Sequence, residues 1–109
     1  MIKKIFIIFI FILFINHTNA NENIMILKLK DGDVVIELFK DIAPNHVKRF
    51  QNLAKEKKYD GVVFHRVIDG FMAQTGDVQF GNSTLETFDI RRAGTGGSEY
   101  PNLKAEFSN

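Results

Sequence analysis

The side chains best suited to chemistry lie within residues 64–77, where one guanidinium, one imidazole and one primary amide stand among apolar residues. They belong to Arg66, His65 and Gln74. Burying such groups beside apolar side chains costs free energy unless their donors find partners. Their position therefore indicates either internal pairing or a role in holding a ligand.

The same stretch is predicted to form a β-hairpin that positions these groups. Residues 62–67 are β-branched and aromatic, as is typical of a strand, and an Asp-Gly turn signal separates them from residues 71–74. Side chains two apart share a strand face, so Met72 and Gln74 point the same way. The hairpin can bring Arg66 and Gln74 to one surface with an aromatic or Met side chain, forming an apolar pocket with a few polar groups.

This stretch resembles the central signature of the cyclophilin-type peptidyl-prolyl isomerases. The residues that carry the resemblance are Phe64-His65-Arg66, Gly70-Phe71-Met72, Gln74 and Gly76-Asp77. Agreement continues from about Met25 to the last residue, at Asp31-Gly32, Ala43-Pro44, Phe50-Gln51-Asn52-Leu53, Tyr59-Asp60-Gly61, Gly94-Thr95-Gly96-Gly97 and Glu106-Phe107. The resemblance implies a mainly β fold with one or two helices, a cyclophilin-like antiparallel β-barrel.

The resemblance also implies a reaction and the residues that perform it. It makes the chain a peptidyl-prolyl cis-trans isomerase (EC 5.2.1.8), or rotamase, acting on proline-containing unfolded polypeptides during protein folding. Arg66 is the implied catalytic residue, because a guanidinium can donate to the lone pair that the prolyl nitrogen gains when the amide twists. The implied substrate-binding residues are Phe71, Met72, Gln74, His65, Gly94, Thr95 and Gly96.

Each of these roles has a structural alternative. Arg66 can instead pair with a carboxylate such as Glu86 or Asp69. Phe71 and Met72 can instead pack in the core, and they lie on opposite faces of an ideal strand. His65 can instead have a structural role without contacting the substrate. Asp77 is predicted to cap a turn rather than to act as an acid. His46 is predicted to be a solvated surface histidine.

The first twenty residues are predicted to be a secretory signal peptide rather than part of the fold. Lys3 and Lys4 precede an apolar run over residues 5–15, and Thr18 and Ala20 occupy the places expected before a cleavage site. The alternative is a membrane anchor, but the run is shorter than the roughly 20 residues of a spanning helix. The prediction places residues 21–109 in the periplasm or outside the cell, with membrane contact only during export.

Composition narrows the remaining possibilities. A chain of 109 residues has room for one domain, and without Lys3 and Lys4 its 14 basic residues become 12 against 13 acidic ones. This balance favours neither a nucleic-acid nor an anionic-membrane partner. Cysteine is absent, so disulfides are excluded. No metal site is predicted, because His46 has no partner ligands at suitable spacing. No cofactor is predicted, and the Gly94–Gly97 segment lacks the Lys-Ser/Thr ending of a phosphate-binding loop. The protein is expected to be a monomer.

The rest of the chain supplies the elements around the central stretch. Residues 25–39 alternate like a hairpin with a positive-φ turn at Asp31-Gly32. Residues 41–58 are predicted to be a helix with Pro44 in its first turn, and residues 78–93 a loop longer than in compact members of the family. The apolar stripe of the helix comprises Val47, Phe50, Leu53 and Ala54.

The complete barrel of the family is longer than this chain. Residues 21–109 are therefore expected to be the N-terminal part of the domain, C-terminally truncated, with the barrel incomplete. Two other functions stay open for this reason. One is a non-catalytic peptide-binding or chaperone-like remnant, and the other is an inactive truncated fragment.

Overall fold

The computed structural model describes residues 21–109, in which one helix and four short strands form. The elements are β1 (Ile24–Leu29), β2 (Gly32–Glu37), α1 (Pro44–Lys55), β3 (Arg66–Ile68) and β4 (Met72–Gln74). Strands pair as β1 with β2 and β3 with β4, giving two separate two-stranded sheets. This is the predicted class, mainly β with a helix, and the sheets are open. The predicted signal peptide, residues 1–20, lies outside the described residues.

The first hairpin confirms the predicted alternation. β1 and β2 are antiparallel, and Met25 lies opposite Ile36 in the register. Met25, Leu27 and Ile36 are half-buried while most of their neighbours along the strands are exposed, so one face carries the inward side chains. The positive φ of the connection falls on Gly32, at 141°, which is a conformation that glycine adopts readily.

Helix α1 is shorter than predicted at both ends. It starts at Pro44, whose fixed φ suits the first helical position and whose missing N–H needs no partner there. Val47 and Leu53 of the predicted stripe are buried, whereas Phe50 is 42% exposed. The centroids of the Phe50 and Tyr59 rings lie 6.0 Å apart. Ala54 is exposed. The apolar stripe is therefore narrower than the spacing suggested.

The end of α1 is fixed by a pair of backbone hydrogen bonds. Lys57 N donates to Ala54 O at 3.0 Å, and Lys58 N donates to Leu53 O at 2.9 Å. Lys57 itself takes a positive φ of 58°. This is the Schellman arrangement, with a lysine at the left-handed position where glycine is usual.

The residues predicted to form one strand, 62–67, pair with two different parts of the chain. Residues 66–68 pair with β4, but Val62 forms an isolated bridge with Asn82, and Val63 N donates to Gly81 O at 2.9 Å. The predicted strand over residues 62–67 is therefore wrong in extent. Its first part pairs with the segment after the signature, and only its last part enters the hairpin.

The described residues contain little core. Val47 and Leu53 are the buried apolar side chains there, and both belong to α1. Between residues 21 and 109 no helix has the length and apolarity needed to cross a membrane. The fold therefore depends on hydrogen-bonded anchors as well as on apolar burial.

Candidate functional site

The register of the second hairpin places Arg66 directly opposite Gln74. Ile68 and Met72 form the pair at the other end of the hairpin, two positions along each strand. Residues opposite each other in an antiparallel pair share a face, and so do residues two apart. The structure thus brings Arg66, Gln74 and Met72 to one surface, as the sequence predicted.

The turn of this hairpin displaces Phe71 from the strand. Phe71 N donates to Ile68 O at 3.1 Å, and Gly70 has a φ of 68°. A positive φ at the third turn position is what a type II turn requires, and glycine supplies it. Phe71 is 76% exposed at the hairpin tip, so it does not pack in a core, and the prediction that β4 begins at residue 71 is wrong.

Arg66 has no carboxylate in ion-pair range among residues 21–109. The ion pairs there join Lys28 to Asp33 and Arg91 to Asp89, and the His46 ring contacts Glu106. Pairing of Arg66 with Glu86 or Asp69, the alternative considered above, is therefore not observed in this part of the chain. Arg66 is exposed on β3.

Asp77, at the end of the signature stretch, is a buried anchor for backbone on either side of the long loop. Its side chain accepts four backbone hydrogen bonds, with Oδ1 at 3.0 Å from Gln79 N and 2.9 Å from Phe80 N, and Oδ2 at 2.8 Å from Gly94 N and 3.0 Å from Gly96 N. Burial raises the pKa of this carboxyl, but the four donors outweigh burial, and the pKa lies below its usual value. The predicted capping role is confirmed.

The glycine segment of residues 94–97 makes the close contacts expected of it. A Cβ on Gly94 would lie 2.4 Å from Cδ2 of His65, and one on Gly96 would lie 2.7 Å from Oδ1 of Asp77. Only glycine permits such approach. Thr95 is exposed, and its hydroxyl donates to Arg92 O at 2.7 Å.

His65 packs its ring against Gly94 and so supports the glycine segment from the side of the signature. Its Nδ1 atom is buried and has no hydrogen-bond partner among the described residues. This placement favours the structural role considered for His65. Gly94, Gly96 and His65 form one packed unit with Asp77.

The long loop encloses a small cavity separate from Arg66. Its volume is about 130 Å³, and the guanidinium of Arg92 lies over the Phe80 ring at 3.9 Å. The lining residues are Gln79, Phe80, Asn82, Leu85, Thr87, Phe88, Asp89 and Arg92. A Cβ on Gly96 would lie 2.7 Å from Cδ2 of Phe80, so the loop packs against the glycine segment.

The sequence predicted a solvated surface histidine at position 46. The His46 side chain is 40% exposed, but it is also held by a carboxylate. Its Nδ1 lies 2.7 Å from Oε2 of Glu106, whose side chain is 13% exposed. Glu106 also accepts from His46 N and Asn45 N at 3.1 Å each, and from the Asn45 amide at 2.7 Å. Burial raises the pKa of Glu106, but hydrogen bonds from His46 and Asn45 lower it to about 2.

Sequence reasoning missed the role of Glu106 because it lies 60 residues from His46. One signal was present. The residue before Pro44 is Ala43, whose side chain cannot accept the unpaired N–H groups of the first helical turn. An acceptor from elsewhere in the chain was needed.

Comparison with known proteins places most of the chain in one family. Residues 24–109 match the family described as cyclophilin type peptidyl-prolyl cis-trans isomerase/CLD. A probable peptidyl-prolyl cis-trans isomerase of Brucella suis is 63% identical over 87 residues, which make up 80% of this chain and 44% of that protein.

Two further relatives cover less of the chain. A putative peptidyl-prolyl cis-trans isomerase of Staphylococcus saprophyticus is 46% identical over 59 residues, 54% of this chain and 30% of that protein. A putative bifunctional phosphatase/peptidyl-prolyl cis-trans isomerase of Streptococcus pyogenes is 48% identical over 62 residues, 57% of this chain and 13% of that protein. The chain thus spans less than half the length of these relatives. No solved structure matches it significantly.

Proposed function

Because the chain belongs to the cyclophilin-type peptidyl-prolyl isomerase family, we propose that it supplies Arg66 to a site that accelerates the isomerisation of X-Pro bonds. The observation that carries the proposal is the pairing of Arg66 with Gln74 across the hairpin, on an exposed face and with no carboxylate partner in residues 21–109. The substrates are proline-containing unfolded polypeptides.

The chemistry needs one well-placed donor. Rotation about the peptide bond faces a barrier of roughly 18–20 kcal/mol because the amide loses conjugation. At about 20 kcal/mol the uncatalysed rate is on the order of 0.01 per second. A catalyst must only bind the twisted state better than either planar state.

Arg66 fits that requirement. In the twisted amide the prolyl nitrogen becomes pyramidal and gains a localised lone pair. A guanidinium stays charged at all relevant pH values and carries directed N–H donors. Its hydrogen bond to the nitrogen strengthens as the amide twists, which lowers the barrier.

The neighbours of Arg66 hold the two halves of the substrate. Met72, half-buried on the same face, and Phe71 at the tip offer apolar surface to the proline ring. Gln74 offers an amide to a backbone carbonyl of the substrate. Gly94, Thr95 and Gly96 present backbone next to His65, so a peptide can lie close to that segment.

The setting of the reaction is part of the same proposal. Residues 1–20 have the order of a signal peptide, with a basic start, an apolar run and a small residue at position 20. We propose that they direct export, that residues 21–109 act as a monomer in the periplasm or outside the cell, and that the described strands belong to an antiparallel barrel.

A protease-coupled assay with a proline peptide tests the catalytic role. The purified chain is compared with Arg66→Ala, Arg66→Lys and, as a matched control, Arg91→Ala, which removes an exposed arginine paired with Asp89. Arg66→Ala is expected to reduce kcat/KM by about a hundredfold, the usual effect of losing one preorganised donor. Arg66→Lys recovers only part, since lysine lacks the planar fork.

A second function is favoured by one observation. Phe71 and Val67 of this hairpin are 76% and 67% exposed, and such side chains can hold an unfolded segment without turnover. Peptide binding that persists in Arg66→Ala, together with a wild-type rate equal to the uncatalysed one, supports this non-catalytic role and contradicts the enzymatic one.

A further inference from the structure

Residues 100–106, called the strap below, lie along helix α1. At the end nearer the glycine segment, the hydroxyl of Tyr100 donates to Glu56 Oε1, and the guanidinium of Arg49 lies 5.0 Å from the centre of the Tyr100 ring. Arg49 Nη2 also donates to Pro101 O at 2.8 Å. At the other end, Glu106 binds the first turn of α1.

The spacing of the helix partners shows how the strap runs. Asn45, Arg49 and Glu56 are four and then seven residues apart, so they share one face of α1 and its continuation. They extend over about 17 Å at 1.5 Å per residue. Six steps of extended chain, from Tyr100 to Glu106, reach up to about 20 Å. The strap is therefore extended and antiparallel to α1.

The glycine segment lies between two anchors. Asp77 holds it at Gly94 and Gly96 through hydrogen bonds of 2.8 Å and 3.0 Å. Only residues 98 and 99 separate it from the strap, which α1 holds on the other side. A chain segment tied at both ends has lost most of its freedom before a peptide arrives, so binding costs less ordering entropy.

We propose that Glu106 is a positioning residue that fastens the strap to α1 and so fixes the Gly94–Gly97 segment for peptide binding. The proposal rests on the function proposed above. Glu106 is suited to this because its carboxylate takes four hydrogen bonds from two adjacent residues, Asn45 and His46. These bonds also satisfy donors of the first helical turn that Ala43 leaves unpaired.

Amide hydrogen exchange tests the coupling without any need for activity. Glu106→Ala and Glu106→Gln are compared with the wild type and with Glu86→Gln, an exposed carboxylate with no hydrogen bond among the described residues. For each amide the exchange rate in Glu106→Ala is divided by the rate in the wild type. This acceleration is expected to be about tenfold larger at Gly94 and Gly96 than at Leu53, which reports global opening. Glu106→Gln, which keeps one acceptor oxygen, is expected to give a smaller effect, and Glu86→Gln none.

The outcomes are distinct. Faster exchange at Asn45 and His46 with no change at Gly94 and Gly96 would mean that Glu106 only caps the helix, which overturns the proposal. Equal acceleration at Leu53 would also overturn it, because the effect would then be general destabilisation. If Glu106→Ala does not fold, the decision rests on the same comparison in Glu106→Gln.

Kinetics give the second readout. Loosening the glycine segment is expected to raise KM for the proline peptide about fivefold in Glu106→Gln while kcat changes less than twofold, since Arg66 is untouched. A fall in kcat at constant KM contradicts a positioning role in binding. If no variant shows Arg66-dependent turnover, the proposed isomerase function fails, while the exchange result still decides the coupling.

Discussion

Two carboxylates, Asp77 and Glu106, each accept hydrogen bonds from backbone N–H groups that have no other acceptor among residues 21–109. Asp77 is 4% exposed and joins two turns of the chain, and Glu106 joins the strap to the helix. Charge-assisted hydrogen bonds of this kind are stronger than neutral ones and are costly to remove when buried. They compensate for the scarcity of buried apolar side chains.

The Glu106 anchor predicts an acid-sensitive stability. Its pKa is about 2 in the folded protein against the ordinary 4.5, so folding favours the ionised form. The stabilisation is complete above about pH 4.5 and is lost as the pH falls through about 2. The difference in urea midpoint between wild type and Glu106→Gln is expected to shrink over this range.

Other carboxyl groups titrate in the same range, and Asp77 in particular also has a lowered pKa. The comparison with Glu106→Gln removes their contribution because both proteins retain them. A difference in midpoint that stays constant from about pH 6 to pH 2 contradicts the assignment.

At the scale of elements, α1 ends on an unusual residue. Lys57 adopts the left-handed conformation that closes the Schellman arrangement, with a φ of 58°. For a residue with a Cβ this conformation costs roughly 1–2 kcal/mol. The sequence places Gly61 four residues later, too far to serve this end of the helix.

Replacing Lys57 by glycine is therefore expected to stabilise the protein. The gain is about 0.5–1 kcal/mol, because relief of the strained backbone exceeds the added entropy of the unfolded chain. Lys55→Gly is the matched control, since it puts the same residue inside the last helical turn and should cost about 1 kcal/mol. Thermal unfolding followed by circular dichroism measures both, and a destabilised Lys57→Gly would refute the strain.

At the scale of the molecule, apolar side chains lie on the surfaces of both hairpins. Val35 and Val67 are 66% and 67% exposed, and each sheet in the described part has only two strands. Two-stranded sheets have unpaired edges, and exposed apolar strands next to such edges favour association with other chains.

Weak self-association of the monomer is therefore expected at high protein concentration. Val67→Lys should reduce it, because a charge on the exposed face of β3 opposes edge-to-edge pairing. Asn102→Lys adds the same charge at an exposed polar position away from the hairpins and serves as the control. Sedimentation velocity over a range of concentrations measures the effect, and an equal response to both variants would show that net charge alone is responsible.

The sequence determined what depends on local pattern. Alternation set the register of β1 and β2, and strand pairing across the Asp-Gly turn placed Arg66 beside Gln74. The capping role of Asp77 followed from its place after a glycine. These features could be predicted because periodicity and turn chemistry act over a few residues.

Tertiary structure alone decided the contacts between distant segments. The division of residues 62–68 between two partners, the exposure of Phe71, and the pairing of His46 with Glu106 depend on which chain segments meet. A hydrogen bond between residues 60 positions apart leaves no periodic trace in the sequence. Its energy depends on burial and on the relative position of two elements, and only the folded chain fixes these.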